Sequence, residues 1–216
     1  MARRERTMGI LAAAAALALL CGCGAVPDKH FYAIVNGAEA QAQPAAGPAC
    51  ARTAVVTPVE IAVPYDDDRI VFRTGDYEVK YFNYDFWVSR PQEMFQQLLA
   101  QKLERARLFE SVDPQIASAR THLTVLVTID AIELVATGEL IEARLAMTLR
   151  LRDPSAAAAV WEHSFDTRRP VANDDRDVDV EETVRALNAI YADEVANVVQ
   201  SLRAVLPSYA GCSAQP

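Results

Sequence analysis

Leu123-Thr124-Val125-Leu126-Val127-Thr128-Ile129-Asp130 decides the fold class. Leu123, Val125, Val127 and Ile129 alternate with Thr124, Leu126, Thr128 and Asp130, the two-residue period of a strand with one face buried. After Ala136-Thr137-Gly138 a second strand alternates more cleanly. Ile141, Ala143, Leu145, Met147, Leu149 and Leu151 face one way; Glu142, Arg144, Thr148, Arg150 and Arg152 face the other, with Ala146 among them. Asp153-Pro154-Ser155 turns the chain into a third segment, Val160 to Asp166. The three read as an antiparallel meander, one face on a core and a charged face in water.

Downstream, Arg168 to Asp177 is a polar, acidic loop. Asp179-x-x-Glu182 then has the form of a capping box, its acids at the favourable end of a helix. Val184, Leu187, Tyr191, Val195, Val198, Leu202 and Val205 step by three or four, predicting a long amphipathic helix that Pro207 stops. Upstream, Ser89 is read as the N-cap of another helix, with Pro91 in its first turn and an apolar stripe through Met94, Leu98, Leu99, Leu103 and Ala106. Before it come a β-branched run from Val55 to Val63, in which Pro58 predicts an edge or a break, and two short β segments, Ile70–Arg73 and Tyr77–Phe82, around Thr74-Gly75-Asp76. Asp66-Asp67-Asp68 lacks the spacing of a calcium loop and reads as a solvated turn. The aromatic run Tyr84, Phe86, Trp87, with Arg73, is a candidate partner or oligomer surface; the alternative reading is ordinary core packing.

The N-terminus reads as a lipoprotein leader. Arg3, Arg4 and Arg6 precede an apolar run from Ile10, too short to span a bilayer at about 20 residues and suited to a signal h-region of about 7–15. It closes on Leu20-Cys21-Gly22-Cys23. Gly22 is the small residue such a cleavage site needs, whereas Cys21 follows the bulky Leu20. Cys23 is therefore the expected lipidated residue, carrying a covalent lipid with acyl chains of the palmitate kind, and no other cofactor is expected. Gly24 follows in place of the aspartate that retains lipoproteins in the inner membrane, which leans toward the outer membrane, periplasmic face. The expected organisation is a signal peptide at 1–22, a lipidated N-terminus and flexible tether at 23–53, one α/β domain at 54–207 and a C-terminal tail at 208–216. Cys50 and Cys212 either form a disulfide in an oxidising periplasm or stay free in loose termini; sequence leaves both open.

The formal net charge is −8, and the first 22 residues carry +2, so the exported part stands near −10. An acidic chain without a basic cluster is not a nucleic-acid binder. No G-x-S-x-G, H-E-x-x-H or P-loop appears, the histidines His30, His122 and His163 are scattered, and Glu139 and Glu142 read as surface charges. The expectation is a non-enzyme with no metal site.

These features together resemble a known family. The lipobox, Phe31-Tyr32-x-Ile34, Asp68-Arg69-Ile70-Val71-Phe72-Arg73, Tyr77-Glu78-Val79 and the step from Trp87 to Pro91 are similar to the ABC-type transport auxiliary lipoproteins, the PqiC/YmbA-like group. That resemblance implies a three-layer α/β/α sandwich with a mixed, largely antiparallel sheet, similar to the TolB N-terminal domain. It also implies a non-catalytic role beside an inner-membrane ABC permease and ATPase and a periplasmic MCE-domain protein that moves lipid between membranes, with a homo-oligomer open. An envelope-assembly lipoprotein of the LptE or TolB-associated kind, meeting a β-barrel, is the alternative.

Overall fold

The computed structural model describes residues 27–37, 47–113, 122–171 and 179–212. The leader and Cys23 lie outside these. The strands are β1 (His30–Tyr32), β2 (Cys50–Val56), β3 (Glu60–Ile61), β4 (Arg69–Thr74), β5 (Glu78–Trp87), β6 (Phe109–Asp113), β7 (Leu123–Thr137), β8 (Leu140–Arg152) and β9 (Ala159–Pro170); the long helices are α1 (Pro91–Arg105) and α2 (Val180–Val205). All nine strands join one sheet.

β7 is its spine. One edge pairs antiparallel with β8 along almost its whole length, from Thr124 opposite Arg152 to Thr137 opposite Leu140. β9 continues the meander beyond β8. The other edge takes three short parallel partners in succession: Ala54 opposite Leu123, Glu60 opposite Thr128, Phe72 opposite Leu134. β2, β3 and β4 thus behave as one strand interrupted twice. The first interruption contains Pro58, which has no N–H to give a ladder. The second lifts out Val63–Tyr65 as a 3-10 turn, followed by the three aspartates. The sheet is mixed, as expected, but five of the eight described pairings are parallel; the antiparallel ones are fewer and longer.

Ile129 lies opposite Met147 and Ala131 opposite Ala146, leaving Asp130 as the extra residue of a bulge. The bulge swaps the parity of β7: Leu123, Val125, Val127 and Ile129 face the core before it, Ile132 and Leu134 after it. That exchange turns Glu133 onto the opposite face, where alternation alone would have aimed it at the core.

Both helices cover the same core face. Phe95 of α1 meets Tyr191 of α2 edge-on, ring centres 5.3 Å apart. Arg203 of α2 donates to the Ala106 carbonyl at the end of α1 (2.6 Å), a favourable partner for an orphan C-terminal carbonyl. Trp161 of β9 donates its indole N–H to Ser201 of α2. The described residues therefore make two layers, with no helix on the outer face, in place of the expected α/β/α sandwich. α2 starts as expected, with the Asp179 carboxylate accepting the Glu182 N–H (3.1 Å). α1 does not: its N-cap is Arg90, with no side-chain cap, and Pro91 opens the helix at a position that needs no N–H.

The ends of the fold lie further out than the expected boundaries of 54 and 207. Cys50, read as tether, begins β2 and is bonded to Cys212, read as tail, with Cα atoms 4.5 Å apart. Beside the bond, Asp153 accepts from Arg52 (2.5 Å), Tyr209 (2.8 Å) and Ser155 (2.7 Å). Burial, the largest influence on this carboxyl, pushes its pKa up, but these donors together outweigh it and hold it well below the usual range. The entry segment is built in as well. β1 pairs parallel with β5, and Asn188 of α2 clamps the next residues, accepting the Val35 N–H (2.7 Å) and donating to the Ala33 carbonyl (3.2 Å).

A disulfide spanning 162 residues restricts the unfolded chain by about 5 kcal/mol in the chain-entropy picture. The double variant Cys50→Ala/Cys212→Ala is expected to melt about 10 °C lower, read by circular dichroism against the oxidised protein.

Candidate partner surface

The four residues singled out as a surface separate into different roles. Arg73 on β4 is a structural cation. Its Nε lies 3.1 Å from Glu133, whose side chain is 0% exposed, and its Nη2 donates to the Tyr65 hydroxyl (3.2 Å). Arg144 meets Glu133 from the other side (2.9 Å) and reaches on to Asp166 (2.8 Å). Two guanidinium groups thus compensate one buried carboxylate, as burial of a charge demands. The hydrogen bond to Glu133 holds the Arg73 pKa above its ordinary value, while burial pushes the Tyr65 phenol up to about 12. Part of the charged face read as solvated is this interlocked network.

Trp87 is 3% exposed and belongs to the core. Its neighbour Phe86 points to the outer face, because register places Phe86 beside Phe31 and Trp87 beside Tyr32. The Phe31 and Phe86 rings sit 5.7 Å apart and the Lys29 ammonium lies 5.0 Å from the Phe86 centre, within range of a cation–π contact. Val88 follows directly, its N–H on the Tyr32 carbonyl (2.9 Å). Phe31 is 61% exposed, Val88 58% and Tyr84 39%. The exposed apolar surface at this edge is therefore centred on Phe31 and Val88, with the half-buried Phe86 ring beneath them. Phe31 and Val88 were missed because a single exposed apolar residue carries no periodic signal; only the pairing of β1 with β5 brings them together.

An open groove of about 400 Å³ adjoins this edge, lined by Phe31, Asp66, Asp67, Asp68, Trp87, Val88, Ser89 and Arg90. Its aspartates are occupied by the protein more than the reading as a solvated turn allowed. Asp67 grips Arg69 through two bonds (2.8 and 3.0 Å), and the Arg69 hydrogen bonds lower its pKa to about 2. Arg69 in turn lies over the Tyr81 ring, 4.4 Å from its centre. Asp66 accepts from Gln92 (2.7 Å) and Arg90 (3.3 Å). Among the described residues no group of three or more His, Cys, Asp or Glu side chains is placed to hold a metal ion. His30 sits on β1 against Asp85 (3.1 Å) and His163 on β9 stacked over Trp161, on separate edges of the sheet. Glu142 pairs with Arg168 (3.6 Å).

The model of the ABC-type transport auxiliary lipoprotein component family matches residues 32–199. Among solved structures, protein XCC0632 from Xanthomonas campestris is 15% identical with a TM-score of 0.62, covering 86% of this chain and 97% of its own. The hypothetical protein CT253 from Chlamydia trachomatis is 9% identical with a TM-score of 0.51, covering 74% and 99%. At such identities the likeness concerns the fold. No curated protein sequence matches the chain.

Removing Glu133 leaves Arg73 and Arg144 facing each other in a half-buried site. Glu133→Ala is expected to cost about 3 kcal/mol in denaturant unfolding. Glu162→Ala, which breaks an exposed pair with Arg150, is expected to leave the midpoint nearly unchanged.

Proposed function

Because this chain belongs to the ABC-type transport auxiliary lipoprotein component family, we propose that it is the non-catalytic, outer-membrane-anchored partner of an ABC transport system that moves lipid between the two membranes. Its lipid would be carried on Cys23, at the periplasmic face. Its contacts would be an MCE-domain periplasmic protein and, through it, the inner-membrane permease and ATPase. The match over residues 32–199 carries the reading.

Three features support a binding role. The lipobox ends at Cys23, a few residues before the chain enters the sheet. The strongest ionic clusters, around Glu133 and Asp153, are closed on themselves by arginines and hydroxyls. At the end of the sheet where β1 meets β5, Phe31, Tyr84 and Val88 are exposed apolar side chains, such as contact surfaces carry.

Mild solubilisation of membranes and capture on a C-terminal tag is expected to bring down an MCE-domain protein with ABC subunits. Cys23→Ala is expected to lose membrane fractionation. Recovery of a β-barrel in place of the transporter would overturn the proposal in favour of an envelope-assembly role.

A further inference from the structure

The entry segment fixes more than the first strand. Six residues lie between Cys23 and His30, so even a fully extended link of seven Cα steps spans at most about 25 Å. His30–Tyr32 is paired into the sheet beside Asp85–Trp87. If Cys23 carries the lipid, the end of the sheet bearing Trp87 and Val88 is held within that distance of the leaflet surface. The other end lies further along the sheet: β5 runs ten residues from Trp87 back to Glu78, about 30 Å of extended chain. At that distant end the turn at Gly75 is bonded to Ala136, beside the β7–β8 hairpin.

The side chains near the leash have the chemistry of a bilayer interface. Phe31 and Val88 are exposed, Phe86 is half-buried against Phe31, and Lys29 adds an ammonium beside the Phe86 ring. Aromatic bodies with a cationic rim suit the headgroup boundary. The net charge near −10 and the neighbouring Asp66–Asp68 loop oppose a surface held by anionic headgroups, so the contact is apolar and zwitterionic lipid is its match. We propose that Lys29, Phe31, Phe86 and Val88 seat the domain on the zwitterionic phospholipid surface of the same leaflet that holds Cys23, fixing which face points into the periplasm. The inference rests on the anchor reading above.

The test uses the full lipoprotein, purified from membranes and reconstituted into phosphatidylethanolamine vesicles with a minor phosphatidylglycerol fraction and nitroxide-bearing lipid. A fluorophore is placed through Val88→Cys or, as control, Leu140→Cys, an exposed site at the β7–β8 hairpin. Intact mass reports whether Cys23 is lipidated. Lipidated protein with at least twofold stronger quenching at position 88 than at 140, reduced toward the control by Phe31→Ser, supports the patch. Lipidated protein with equal quenching at the two positions, or quenching at 88 indifferent to Phe31→Ser, overturns it and leaves the anchor standing. Absence of lipid on Cys23 removes the anchor and this inference together.

Discussion

Pairing along both edges of β7 is the constraint on which the rest of the structure depends. Its fifteen residues carry β8 on one side and the interrupted β2–β3–β4 strand on the other, so every other strand reaches the sheet through it or through its neighbours. The interruptions do structural work. Pro58 forces the first, and the second frees Tyr65 to cover Arg73 and Glu133 on the outer face. The Asp130 bulge completes this corner by turning Glu133 outward between two arginines. A single extra residue thereby keeps the core face apolar through Ile132 and Leu134 and places the charge cluster on the outer face.

The two ends of the chain are bound into this frame by different chemistry. At the C-terminal end, the Cys50–Cys212 bond and the donors around Asp153 join the start of β2 to the last 3-10 turn. At the N-terminal end, β1 adds to the β5 edge, and the Asn188 amide offers both its oxygen and its nitrogen to the backbone of residues 33–35. The described chain is thus bound into the sheet from its first residues. The aromatic edge lies where that fixation begins.

Much of this was legible in the sequence, for identifiable reasons. The β7–β8–β9 meander reads directly because one face of each strand is buried and the other is not, so burial writes itself as alternation. The long helix reads through its stripe and its Asp179 cap. The break at Pro58 follows from a missing N–H. The parallel pairings do not read, because strands far apart in sequence leave no mutual periodic mark. The bulge hides because alternation survives on both sides with its phase shifted. The placement of both helices on one face is a tertiary outcome, fixed by contacts such as Phe95 on Tyr191, and composition does not encode it. In the candidate surface, Tyr84 and Phe86 were legible as aromatics, but Trp87 packs into the core and Arg73 is taken up by the Glu133 cluster. Asn188, which holds the entry segment, does not read from sequence, since the backbone it clamps lies more than 150 residues away.

Residues 30–35 are part of the folded domain and carry its aromatic edge with them. Native-state hydrogen exchange on the intact lipoprotein measures this directly at the Ile34 and Val35 amides, which donate to the Met94 sulfur and the Asn188 side chain. The account predicts protection at both comparable to the amides of β5, lost at Val35 in Asn188→Ala. Exchange at the rate of an unstructured peptide, in protein whose β7 amides are protected, would contradict it and return residues 30–36 to the status of a tether.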